Sequence, residues 1–124
     1  MKTEGLKVLL VDDNSMNRKV FNMLLKSMGS IVDEAASGAE CLELVVQNSY
    51  DIIFMDHLMP EMDGMETFEK MNQLETSVNK ATPVIALSAN PAEEVQDEYL
   101  AAGFNGYLEK PVIPPMLQKL ISEL

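Results

Sequence analysis

Five polar side chains stand where short apolar runs of the sequence come to an end. The run Val8–Val11 in "KVLLVDDNS" drives straight into two adjacent carboxylates, Asp12 and Asp13. The run "DIIFMD" ends on Asp56, "VIALSA" on Ser88, and "GYLEK" on Lys110, which Pro111 follows. If the fold gathers these ends, three carboxylates come to share one site. They cannot all stay ionised there without a counter-charge. A hard divalent cation resolves the repulsion, and an oxygen-only ligand set selects magnesium, calcium or manganese. Magnesium is favoured because it keeps its waters and so leaves coordination sites for a phosphoryl oxygen. Lys110 adds a second positive charge, and Ser88 a neutral hydroxyl. A carboxylate facing such a cation, an ammonium and a hydroxyl is equipped to accept a phosphoryl group as an acyl phosphate.

The elements that must position these groups are legible in the periodicity. Apolar runs at 6–11, 52–55 and 84–87 read as strands, joined by the half-polar "SIVDEA" at 30–35 and a weaker run at 104–109. Segments with helical spacing lie between and after them. Met16, Val20, Leu24 and Met28 form one stripe, stopped by Gly29. Leu42, Val45 and Val46 form a second, and Met65, Phe68, Met71 and Leu74 a third. The fourth helix is expected to open at "NPAEE", with Asn90 as cap, Pro91 in the first turn and Glu93 at the capping-box position, and to end at Gly103. The last places Leu117, Leu120, Ile121 and Leu124 inward. Five βα repeats predict a parallel sheet covered on both faces. Continuously apolar strands belong in the middle of such a sheet and half-polar ones at its edges. The predicted order is therefore 2-1-3-4-5, the flavodoxin-like doubly wound α/β arrangement, in which ligands sit at the carboxyl ends of the strands near the switch point.

Composition sets the outer limits. The chain has 124 residues, 47% apolar and 23% charged, which suits one globular domain over residues 1–124. With 9 basic and 20 acidic side chains it carries a net charge of −11, so a nucleic-acid backbone or an anionic membrane would repel it. A lone cysteine, Cys41, no membrane-length apolar run and the start "MKTEG" point to a cytoplasmic protein. The ten methionines read as core filler. Taken singly, each polar group has an ordinary explanation: Asp13-Asn14 as a helix cap, Asp63-Gly64 as a turn pair, Ser88 as a turn hydroxyl, Lys110 as a solvated lysine. His57, next to Asp56, is expected to face solvent or the neighbouring loop, since successive strand residues point to opposite faces. Cys41 reads as a small core residue. The joint placement of the other groups at successive strand ends is what points to a site.

"VLLVDDNSMNR", "DIIFMDHLMPEMDGME", "VIALSAN" and "GYLEKP" together resemble the receiver domain of bacterial two-component response regulators, including the chemotaxis regulator. The resemblance spans essentially the whole chain. It implies that Asp56 is the phosphoacceptor and that Asp12, Asp13, Asp56 and the backbone carbonyl of Leu58 hold Mg2+, with Mn2+ as a substitute. It implies that Ser88 and Lys110 contact the phosphoryl oxygens, that Tyr107 is the switch aromatic, and that the Lys110–Pro111 bond is cis. The donor would be a phosphohistidine of a sensor histidine kinase or histidine phosphotransfer domain. The acyl phosphate would then hydrolyse slowly at the same site. An output partner is expected on the surface of the fourth helix, fifth strand and fifth helix. No helix-turn-helix or catalytic segment fits within the sequence, so it would be a stand-alone regulator or a piece of a longer, membrane-anchored hybrid kinase. Two rivals of other families share parts of the pattern, and a third is a degenerate receiver that serves only as a binding surface, against which the intact set of site residues argues. A flavin-binding module needs a neutral, glycine-rich phosphate cradle where "DDNSMN" stands. A haloacid-dehalogenase-type phosphatase spaces its first two aspartates by one residue.

Overall fold

The computed structural model describes residues 5–74, 81–88, 93–110 and 112–123, excepting the side chains of 93–95. Five strands, β1 (Lys7–Val11), β2 (Ile31–Ala35), β3 (Ile52–Asp56), β4 (Val84–Ser88) and β5 (Gly106–Glu109), alternate with five helices. The helices are α1 (Ser15–Ser27), α2 (Gly38–Gln47), α3 (Gly64–Asn72), α4 (Glu93–Ala102) and α5 (Pro114–Ser122). The strands are all parallel and ordered 2-1-3-4-5, as the hydrophobic pattern predicts. β3 and β4 are buried along their whole length, and β1 from Val8 onward.

Period-two alternation divides the core into two layers. On one face Leu9, Val11, Ile53, Met55, Val84 and Ala86 pack with side chains of α2, α3 and α4, among them Cys41, Val45, Phe68, Met71 and Tyr99. On the other, Val8, Leu10, Ile52, Phe54, Ile85, Leu87 and Leu108 pack beneath α1 and α5 through Phe21, Leu25 and Leu117. Phe21 meets Phe54 edge-on with ring centroids 5.0 Å apart. Burial pushes the Cys41 thiol up to about 12, so this cysteine is inert core, as expected.

The α1 stripe differs from the prediction. Phe21 and Leu25 are its buried apolar residues, whereas Met16 and Val20 are 66% and 60% exposed. A four-residue repeat drifts around a helix with 3.6 residues per turn, so a stripe read at that spacing starts off the sheet and turns toward it only in its later members. Leu24 and Met28, its later members, are half-buried. Val46 of the second stripe is likewise exposed while Val45 is buried. Three methionines, Met16, Met23 and Met116, lie on the surface, so the core-filler reading holds only for others such as Met55, Met59 and Met71.

The half-polar β2 owes its acids to specific partners. Asp33 accepts from the Tyr50 hydroxyl at 2.8 Å, and Glu34 pairs with Arg18 and Asn22 of α1. Among the described residues, three helices carry side-chain N-caps: Asn14 for α1, Ser37 for α2 and Asp63 for α3. The fourth helix's expected cap, Asn90 with Pro91, lies outside the described residues, as do Leu124 and Pro111 with the expected cis bond.

Candidate functional site

Parallel pairing brings the carboxyl ends of β1, β3, β4 and β5 to one edge. Val11 lies opposite Met55, Asp56 opposite Leu87, and Ser88 opposite Glu109, so the residues ending or following these strands become neighbours. They line a cleft of about 220 Å³ with Asp12, Asp13, Asn14, Asn17, His57 and Leu58 around Asp56, Ser88 and Lys110. All five groups singled out at the strand ends are here, and so is Leu58, whose side chain points out and is 74% exposed.

Lys110 Nζ bridges two acids, lying 2.6 Å from Asp56 Oδ1 and 3.1 Å from Asp12 Oδ2. The backbone N–H of Lys110 donates to the carbonyl of Ser88 at 2.9 Å, which ties the β5 end to β4. Asp12, Asp56 and Ser88 are almost fully buried, whereas Asp13 is exposed. One carboxylate oxygen from each of Asp12, Asp13 and Asp56 fits within 4.8 Å of the others. Three carboxylates against one ammonium leave two negative charges uncompensated.

The electrostatic consequence falls on Asp56. Burial pushes its pKa up from the ordinary 3.8 to about 6. The Lys110 hydrogen bond pulls the other way, and the charges of Asp12 and Asp13 add to the rise. For Lys110, burial disfavours the ammonium, but its bonds and attraction to Asp56 and Asp12 outweigh this and hold its pKa above the ordinary 10.5. The lysine is thus firmly charged, while the anionic form of Asp56 is destabilised. An oxygen-only donor set with surplus negative charge and a strained anion suits a hard divalent cation.

The cleft's floor rests on close approaches that sequence reasoning did not single out. Asp63-Gly64 does more than turn the chain: Asp63 caps α3 through the Glu66 N–H at 2.8 Å. The Gly64 N–H donates to the His57 carbonyl at 2.9 Å. A Cβ on Gly64 would stand 2.3 Å from the backbone oxygen of Asp56. His57 does not face solvent. Its ring is half-buried, edge-on to Tyr99 at 5.0 Å, because the chain turns as β3 ends and strand alternation no longer governs its direction. Tyr99 is the other residue that the reading passed over. It is fully buried with its hydroxyl beside Ser88, and its ring stacks on Tyr107 at 5.8 Å. The signal was the aromatic four residues before Gly103. Tyr107 itself is half-buried and packs toward the α4 side.

The family model described as the response regulator receiver domain matches residues 8–122. The chain belongs to the receiver domain family. The receiver domain is 41% identical over 115 residues to hybrid signal transduction histidine kinase B of Dictyostelium discoideum, covering 86% of this chain and 6% of that protein. It is also similar to signal transduction histidine-protein kinase BarA of Escherichia coli (strain K12), 36% identical over 117 residues, and the chain spans only 6% and 12% of the lengths of these two kinases. Among solved structures it resembles chemotaxis protein CheY4 of Vibrio cholerae, with a TM-score of 0.86, 32% identity and coverage of 96% of this chain and 98% of that one. It also resembles the receiver domain of a sensor histidine kinase from Pseudomonas aeruginosa PAO1, with a TM-score of 0.85, 33% identity and 96% of each chain covered. That structure holds a magnesium ion coordinated in its active-site cleft. The flavin-binding and dehalogenase-type readings fall with these matches. Among the described residues, no helix is long and apolar enough to cross a membrane.

Proposed function

We propose that Asp56 accepts a phosphoryl group from a phosphohistidine of a sensor histidine kinase or histidine phosphotransfer domain. The observation that carries this reading is the convergence on Asp56: Lys110 lies 2.6 Å from it, and Asp12 and Asp13 complete an oxygen cluster within 4.8 Å. Asp12, Asp13, Asp56 and the backbone carbonyl of Leu58 would hold Mg2+, which Mn2+ could replace. Bound there, the cation favours ionised Asp56 and offsets negative charge on the transferred group.

An Asp56 carboxylate oxygen forms the new bond to phosphorus as the phosphorus–nitrogen bond of the donor breaks and the imidazole leaves. Lys110, already bridging Asp12 and Asp56, then has a phosphoryl oxygen within reach, and Ser88 offers its hydroxyl from the β4 end. Hydrolysis of the acyl phosphate by water returns the site slowly to its starting state. Drawing Ser88 toward the phosphoryl group takes it from the Tyr99 hydroxyl beside it, and the Tyr99–Tyr107 stack adjoins that position. The partner surface follows as the face of α4, β5 and α5. The phosphoryl group shifts this equilibrium only by binding one arrangement better than the other. The net charge of −11 argues against nucleic acid or membrane as the partner of this domain. The reading puts residues 1–124 in the cytoplasm as one receiver unit, whether free or within a membrane-anchored hybrid kinase.

The test is chemical. Incubated with acetyl phosphate and magnesium, the protein should gain one phosphoryl group that hydroxylamine removes, and Asp56→Asn should gain none. A label that persists in that variant would place the nucleophile elsewhere.

A further inference from the structure

We infer that Arg18 is a positioning residue, which fixes the Asp12–Asp13 peptide in the geometry that binds a divalent cation. The inference rests on the magnesium-dependent reading of the cleft given above. Arg18 lies one turn into α1, and its Nη1 donates to the backbone carbonyl of Asp12 at 2.8 Å. Its Nε donates to Glu34 Oε1 at 3.1 Å. The buried Asn22, one turn further along the helix, donates its amide to the other oxygen of Glu34. Glu34 sits on the edge strand, in register with Leu10 of β1. One guanidinium therefore ties three elements, the end of β1, helix α1 and strand β2, at a carbonyl that belongs to the site.

That carbonyl matters because of what it orients. The rest of Asp12 is fixed without Arg18. Its N–H donates to the Ala35 carbonyl at 3.1 Å, its Oδ1 accepts from the Asn14 N–H at 2.9 Å, and its Oδ2 meets Lys110 at 3.1 Å. Asp13 is exposed, and among the described residues no ion pair holds its carboxylate. Its direction depends on the peptide that joins it to Asp12, and Arg18 holds the oxygen of that peptide. An ordinary surface ion pair contributes little and has no need of a main-chain acceptor. The planar fork of arginine serves two acceptors at a fixed angle, which the flexible ammonium of lysine cannot.

Electrostatics alone predicts the opposite outcome, and this makes the inference decidable. Removing a positive charge near an acidic site tightens cation binding, whereas removing a positioning group weakens it. Magnesium titrations of the whole chain, followed by calorimetry and by the amide resonances of Asp13 and Asn14, should be run on wild type, Arg18→Ala, Arg18→Lys and Glu34→Gln. Arg18→Ala should weaken magnesium binding about tenfold, the lower range for residues that orient metal ligands. Arg18→Lys should fall between it and wild type. Glu34→Gln should stay close to wild type, since its amide oxygen still accepts from Nε. Asn22, whose Oδ1 finds no partner among the described residues, can turn to receive the new amide. In metal-free protein the Asp13 amide resonance should already move in Arg18→Ala, and acetyl phosphate labelling of that variant should recover at saturating magnesium. Unchanged or tighter binding in Arg18→Ala, or weaker binding in Glu34→Gln, would overturn the positioning role. Failure of wild type itself to bind magnesium would overturn the reading of the cleft and this inference with it.

Discussion

The burial of Asp56 makes a prediction about stability that can be worked through with its sign. In the unfolded chain this carboxylate has the ordinary pKa of 3.8, and in the folded chain it titrates at about 6. Below the lower value both states hold the proton and ionisation costs nothing. Between the two values the folded chain holds a proton that the unfolded chain has released, so stability falls as pH rises. Above about 6 both are ionised and the full cost is present. A tenfold change in proton affinity is about 1.4 kcal/mol, so the rise from 3.8 to about 6 corresponds to about 3 kcal/mol. The value of about 6 already includes the attraction of Lys110, which keeps Asp12 at 3.1 Å in Asp56→Asn. The expected gain of that variant at neutral pH is therefore about 3 kcal/mol. The assay is urea unfolding in metal-free buffer, followed by far-UV circular dichroism because the chain has no tryptophan. The quantity to plot is variant minus wild type, which cancels the contributions of carboxylates remote from the cleft. It should be near zero at about pH 4, climb through the window and level off by about pH 7. Magnesium should shrink it, since a cation that favours the ionised carboxylate relieves wild type alone. A difference that is flat with pH, or that shrinks as pH rises, would refute the claim that burial strains this anion.

Other outcomes follow from the same geometry. Asp13→Ala should fold normally, since the side chain is exposed, yet take up little phosphoryl group from acetyl phosphate in magnesium; normal labelling would remove it from the metal seat. Ser88→Ala should still be labelled but show weaker amide-shift changes around Tyr99 and Tyr107 on phosphorylation, and a response equal to wild type would disconnect this hydroxyl from the switch. Gly64→Ala should lower the unfolding free energy by about 1–3 kcal/mol, read from urea unfolding, because the new methyl meets the Asp56 carbonyl at 2.3 Å; a near-neutral result would show that this turn yields freely.

Much of the architecture was already determined by the sequence. The contrast between wholly apolar runs at 8–11, 52–55 and 84–87 and the half-polar run at 30–35 dictates which strands lie inside the sheet. That contrast, with the alternation of strand and helix periods, is enough for the order 2-1-3-4-5. Strand order in turn brings Asp12, Asp13, Asp56, Ser88 and Lys110 to one edge, because connectivity leaves them nowhere else to end. Direction and distance were not available from the chain alone. Which turn of α1 meets the sheet depends on how the helix crosses it, so Met16 and Val20 read as core and are surface. His57 follows the turn after β3 and packs on Tyr99 instead of meeting solvent. Gly64 was legible as a turn glycine, but only the close approach of α3 to the Asp56 carbonyl shows why no side chain fits there. The hold of Arg18 on Asp12 likewise required α1 and β2 to be in place. Patterns of apolar residues are local and periodic, so the sequence carries them openly; contacts between side chains far apart in the chain are set by the packing of whole elements, and exist only once the fold has formed.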